Sequence, residues 1–171
     1  MTAYMSAEEL LLLALVRATK SPDPSTQNGA ILARNRGLGH YEPILETLSC
    51  NDFPFDVSYS DERWERPLKY SFVEHAERNA IYKAAMKGIA TEGLTLACPW
   101  AACADCARSI IQSGCDTLIT MDPTANTAAH WTESIAIAMG MLEEASVKVK
   151  FVKSPLAGSP TVRRDGELIT L

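Results

Sequence analysis

The chain has 171 residues, is 47% hydrophobic and carries a formal net charge of -5. That length and apolar fraction suit one domain, residues 1–171, that buries its own core without staples, and the acidic balance argues against long DNA or RNA as a partner. Five cysteines, an odd number at uneven spacing in a domain this large, do not read as a secreted disulfide framework, so the cytoplasm is the expected location.

Ser6 and Glu9 form a capping box that starts a helix running to about Lys20, where "SPDPST" stops it. Its apolar run "LLLLALV" is seven residues long, too short to span a membrane, and no membrane association is expected. "GAILAR" (29–34) is a short apolar strand candidate, and a second strand is placed at 37–41. Residues 42–68 show no stable periodicity and read as a long loop of the kind that carries function. A helix follows over about 74–87, ended by Gly88. Then come a strand in "LTLAC", a helix in "ADCARSIIQSG", a strand in "DTLITMD", a helix in "HWTESIAIAMGMLEEA" and a strand in "VKVKFV". Strands separated by single helices become parallel neighbours, so the later half predicts a mixed sheet covered by helices. The tail, about 153–171, offers one turn at Asp165-Gly166.

Chemistry concentrates in two short stretches. "HAERNA" puts His75 and Glu77 at the head of one helix, and "CADC" puts Cys103 and Cys106 on the first turn of another. One imidazole and two thiolates leave a tetrahedral zinc ion with an open position, which is what a catalytic rather than a structural site needs. Glu77, offset along the turn, can reach a water there without ligating the metal. Cys98 closes the preceding strand and is read as a small buried residue outside the metal shell. H-x-E followed by P-C-x-x-C is the signature of zinc nucleobase deaminases, with the histidine and cysteines as ligands and the glutamate as proton shuttle.

The chain resembles the cytidine and deoxycytidylate deaminase family. The likeness covers roughly Leu10 to Val152 and includes "SPDPSTQNGAIL", "NDFP" and "KYSFVEHAERNAI", and the first of these points to the deoxycytidylate (dCMP) branch. It departs from the family pattern at Ala102, where proline is usual, at Asp52, where glycine is usual, and at Asn28, where a hydrophobic residue is usual. The resemblance implies an α/β, three-layer cytidine-deaminase-like fold with a mixed sheet of about five strands. It also implies a Zn2+ cofactor on His75, Cys103 and Cys106, and hydrolysis of dCMP to dUMP and ammonia with Glu77 moving the protons. Asn51 is the candidate contact to sugar or base, and Ala30 and Ala101 are candidates for backbone contacts around the ring. Homo-oligomers, hexamers among them, and regulation by dCTP and dTTP carry over as expectations. Lys69, Arg34, Arg36, Ser25 and Thr26 are unranked candidates for binding a substrate phosphate, and Arg78 is placed facing away from the site. The same chemistry on cytidine, deoxycytidine, a 5-modified dCMP or guanine is the alternative, and a non-catalytic zinc-stabilised binding protein the more distant one.

Overall fold

The computed structural model describes residues 4–123, 129–153 and 156–171, the side chains of Ala129 and His130 excepted. Helix α1 (Ala7–Ala18) carries both halves of the expected capping box, Ser6 and Glu9 each bonding the other's backbone N–H. It buries Leu10, Leu11, Ala14, Leu15 and Ala18, the spacing of one helical face. Strand β1 (Gly29–Asn35) begins where its backbone touches this helix, since a Cβ on Gly29 would lie 1.9 Å from the carbonyl oxygen of Ala14.

The strand anticipated at 37–41 is instead a turn. Gly37, Leu38 and Gly39 all take positive φ, and the Arg36 N–H donates to the His40 carbonyl across it. The partner strand β2 (Tyr41–Cys50) occupies the first part of what reads as a loop. Its periodicity is hidden by a bulge. Ala30 pairs with Ser49 but Leu32 pairs with Ile44, and the Thr47 hydroxyl takes the Leu32 N–H that the ladder would have bonded. Two single turns, α2 (Asp61–Trp64) and α3 (Lys69–Phe72), follow. Phe53 stacks on Trp64 at 4.3 Å and touches Tyr59 and Phe72, which orders the rest of the segment.

Helix α4 (Ala76–Met86), strand β3 (Thr95–Ala97), helix α5 (Ala104–Gln112), strand β4 (Thr117–Met121), helix α6 (Ala129–Glu144) and strand β5 (Lys148–Val152) give the expected alternation. The sheet order is β2-β1-β3-β4-β5, with β3, β4 and β5 parallel and β1 antiparallel to both its neighbours. Alternate residues of β1 separate the two cores. Ala30 and Leu32 pack under α4, α5 and α6, whereas Ile31 and Ala33 pack under α1. The result is a mixed five-stranded sheet between helical layers. The tail folds as a hairpin, β6 (Thr161–Arg164) and β7 (Glu167–Thr170), around the anticipated turn, where Asp165 and Gly166 have φ of 49° and 89°. Val162 and Leu171 bury against the α1 side. No helix among the described residues is long and apolar enough to cross a membrane.

Candidate active site

His75 is the N-cap residue of α4 and Cys103 the N-cap residue of α5, so two helix N-termini meet at one point. The positive ends of the two helix dipoles favour negative charge, which suits thiolates. Each helix start is clamped. The Asn51 carbonyl Oδ1 accepts from Ala76 N–H at 2.9 Å, and the Ser134 hydroxyl of α6 accepts from Ala104 N–H at 3.0 Å. Asp52 and Glu74 exchange two backbone hydrogen bonds directly ahead of His75, and the Asp52 carboxylate accepts from Phe53 N–H and Tyr59 hydroxyl. The Trp131 and His75 rings meet in a T-shaped arrangement, their centroids 5.9 Å apart.

The His75 Nδ1 atom lies 3.6 Å from Cys103 Sγ and 3.5 Å from Cys106 Sγ. Tetrahedral zinc with ordinary Zn–N and Zn–S bonds separates such atoms by about 3.6 Å. The three ligand atoms all lie within 4.8 Å of one another, and among the described residues they are the group of this kind that fits a metal. The donor set and its spacing therefore fit zinc. A hydrogen bond from Cys106 holds the Cys103 thiol down at about 4 despite its burial, with His75 assisting. The same bond, together with burial, pushes Cys106 well up. Burial pulls the His75 value down, but the bond to Cys103 and the Glu77 charge outweigh it and leave His75 raised.

Glu77 is 2% exposed. Burial pushes its carboxyl upward, with the His75 charge opposing. Asn28 explains how it is oriented. The Gly29 N–H donates to Asn28 Oδ1, which fixes the amide so that Nδ2 faces Cys98 Sγ at 3.1 Å and Glu77 Oε2 at 3.5 Å. Cys98, fully buried and pushed well up by that burial, lies against Asn28 and is not in the metal cluster.

These groups open into a cavity of about 420 Å³, a size suited to a nucleotide-like ligand. Asn51 and Ala101, two of the candidate contacts, line it together with Trp100. The Asn51 amide also bridges two elements, because its Nδ2 donates to the Thr26 carbonyl at 2.9 Å. Ala30 is fully buried in the core and lies outside the cavity wall. Arg78, placed away from the site on sequence grounds, lines the cavity with Nη1 3.6 Å from Cys106 Sγ and an ion pair to Glu74. Its i,i+3 spacing from His75 was the available signal, since such residues share a helical face. Arg34 and Arg36 sit on the exposed end of the β1–β2 hairpin. Lys69 lines the cavity but is held by Asp23 at 2.7 Å and Ser25 at 2.5 Å.

The family model for the cytidine and deoxycytidylate deaminase zinc-binding region matches residues 5–122. An uncharacterized deaminase in the luxG 3' region of Aliivibrio fischeri is 30% identical over 146 residues, covering 85% of this chain and 92% of that one. The dCMP deaminase of cyanophage S-TIM5 superposes in its apo form with a TM-score of 0.64 at 22% identity, over 85% of this chain and 96% of the phage protein. A Thermotoga maritima diaminohydroxyphosphoribosylaminopyrimidine deaminase/reductase superposes with a TM-score of 0.53 at 20% identity, over 86% of this chain and 36% of its own. At such identities the superpositions speak for the fold.

Proposed function

We propose that this chain, which belongs to the cytidine and deoxycytidylate deaminase family, directs that family's zinc-dependent deamination at dCMP, giving dUMP and ammonia. The observation that carries the reading is the convergence of His75, Cys103, Cys106 and a buried Glu77 on one nucleotide-sized cavity. The 21–32 segment, which carries the likeness to the dCMP branch, supplies Asp23 and Thr26 to the same wall, along with Asn28, where it departs from the family pattern.

In this mechanism His75, Cys103 and Cys106 hold the zinc. When bound, zinc supplies an activated water as nucleophile at neutral pH. Glu77 removes a proton from the attacking water, delivers one to ring N3 of cytosine and passes another to the departing amine, so that water and cytosine become uracil and ammonia. Burial suits the carboxyl to both halves of that exchange, because a raised pKa brings it closer to the working pH. Asn28 Nδ2 faces Oε2 at 3.5 Å and so orients the carboxylate. Asn51 keeps one lone pair of Oδ1 and one hydrogen of Nδ2 for a sugar hydroxyl while pinning α4. Ala101 lends backbone at the rim. A cytoplasmic homo-oligomer, the hexamer included, with dCTP and dTTP as regulators, completes the proposal by family resemblance.

Turnover of cytidine, deoxycytidine, CMP, dCMP, a 5-substituted dCMP and guanine, followed by ammonia release and ultraviolet change, tests it. Preference for dCMP over deoxycytidine by orders of magnitude supports the reading. Preference for guanine or an unphosphorylated nucleoside overturns the substrate and leaves the chemistry standing.

A further inference from the structure

The C-terminal hairpin lies beyond the stretch matched by the family model, yet it forms part of the cavity wall. It is stitched to the 25–27 segment by four hydrogen bonds. Gln27 N–H donates to the Arg163 carbonyl at 2.7 Å, Arg163 N–H to Gln27 Oε1 at 2.9 Å, Gly166 N–H to the Ser25 carbonyl at 2.9 Å, and Asp165 N–H to the Thr26 hydroxyl at 3.3 Å. This seam carries Arg164 into the wall, where its guanidinium lies 4.0 Å from the centre of the Trp100 ring. Trp100 is itself fixed by donating from Nε1 to the Gln27 carbonyl.

The charges at this corner do not balance. Lys69 is engaged by Asp23 and Ser25, and Arg78 by Glu74. Arg164 and Arg66 share Asp165, at 4.0 and 3.7 Å, both beyond hydrogen-bond length. Arg164 Nε is buried without a hydrogen-bond partner. The Arg164 side chain is 11% exposed, and a ligand that offers acceptor oxygens can engage its guanidinium, whose planar fork matches phosphate in particular.

We propose that Arg164, assisted by Arg66, forms the subsite for the phosphate monoester of the substrate, which makes the C-terminal hairpin a specificity element of the cavity. The proposal rests on the nucleotide reading above and deepens it. The phosphate sits where the hairpin meets the 25–27 segment, and the base extends from there toward Glu77.

The test uses the zinc-loaded full chain carrying Glu77→Gln, so that ligands bind without turnover, with and without Arg164→Gln. Calorimetry is run with dCMP, deoxycytidine and 2-deoxyribose 5-phosphate. Arg164→Gln is expected to lower the affinity ratio of dCMP to deoxycytidine about 10- to 100-fold, the size of lost hydrogen bonds to a charged group, and to weaken the sugar phosphate equally. An unchanged ratio, or a sugar phosphate that binds no better with Arg164 than without it, overturns the proposal. Arg66→Gln, at a half-exposed position, asks the same question if Arg164→Gln does not fold, with a smaller fall in the same ratio expected and no fall contradicting the shared subsite. Arg164-dependent sugar-phosphate binding by a protein whose wild type turns over no cytosine nucleotide would keep this inference and discard the base assignment.

Discussion

Replacing Lys69 by Met should destabilise the protein through a single carboxylate. The Lys69 and Asp23 side chains are 6% and 1% exposed. Without the ammonium, Asp23 Oδ1 keeps only the Ser25 and Thr26 N–H groups at 2.8 and 3.0 Å, and Oδ2 already has no hydrogen-bond partner. Removing one member of a buried ion pair costs about 3–5 kcal/mol, because the remaining charge stays buried. For a domain of this size that corresponds to a fall in Tm of about 6–20 °C. Asp23→Asn in the same chain removes the stranded charge and should recover more than half of the loss. Thermal and urea unfolding of the wild type, both single variants and the double variant form the cycle that measures the coupling. Zinc content should be unchanged, and KM should rise, since the 23–28 segment walls the cavity. A loss below about 1 kcal/mol, or strictly additive effects, would refute the argument that this pair is what fixes the segment.

Asn28→Val should lower kcat about tenfold, the loss of roughly one hydrogen bond to a charged group, with KM and zinc content little altered; an equal loss in a Glu77→Ala background would show that Asn28 does not act through Glu77. Gly29→Ala should cost about 3 kcal/mol or more through overpacking against the Ala14 carbonyl, and a chemical denaturation midpoint equal to wild type would contradict the close approach. Zinc affinity of the apoprotein should rise with pH through neutrality. Cys106 is pushed well up, so the metal must displace its thiol proton, and binding that releases a proton strengthens as pH rises. Chelator competition at pH 6 and pH 8 checks this, and equal affinities would exclude it. Cys98→Ser should keep both zinc and activity, because its thiol touches Asn28 and not the metal cluster; loss of zinc with the fold intact would overturn the ligand set.

The metal cluster was legible because its ligands are rare side chains at the heads of two helices and together match the deaminase signature, while their convergence shows only in the fold. The parallel half of the sheet was legible for a similar reason, since its strands are short, apolar and separated by single helices. Strand β2 was not. It is an edge strand, which tolerates Pro43 and its acidic residues, and its bulge shifts the alternation midway, so no period of two survives in the sequence. Arg164 was hidden differently. Its contact with Trp100 joins residues far apart in the chain, and only the docked hairpin shows that the tail reaches the cavity. Asn28 stood out as a departure from the family pattern, but its meaning required the position of Glu77.

The central claim is most directly tested by dCMP deamination in zinc-loaded wild type and Glu77→Gln, with metal content measured on the same samples. The account predicts about one zinc per chain in both proteins. It also predicts stoichiometric dUMP and ammonia from the wild type, and a rate about 10²- to 10⁴-fold lower in the variant, the usual contribution of a general acid-base group. A variant that turns over at close to the wild-type rate, or a fully zinc-loaded wild type that deaminates no base, would contradict it.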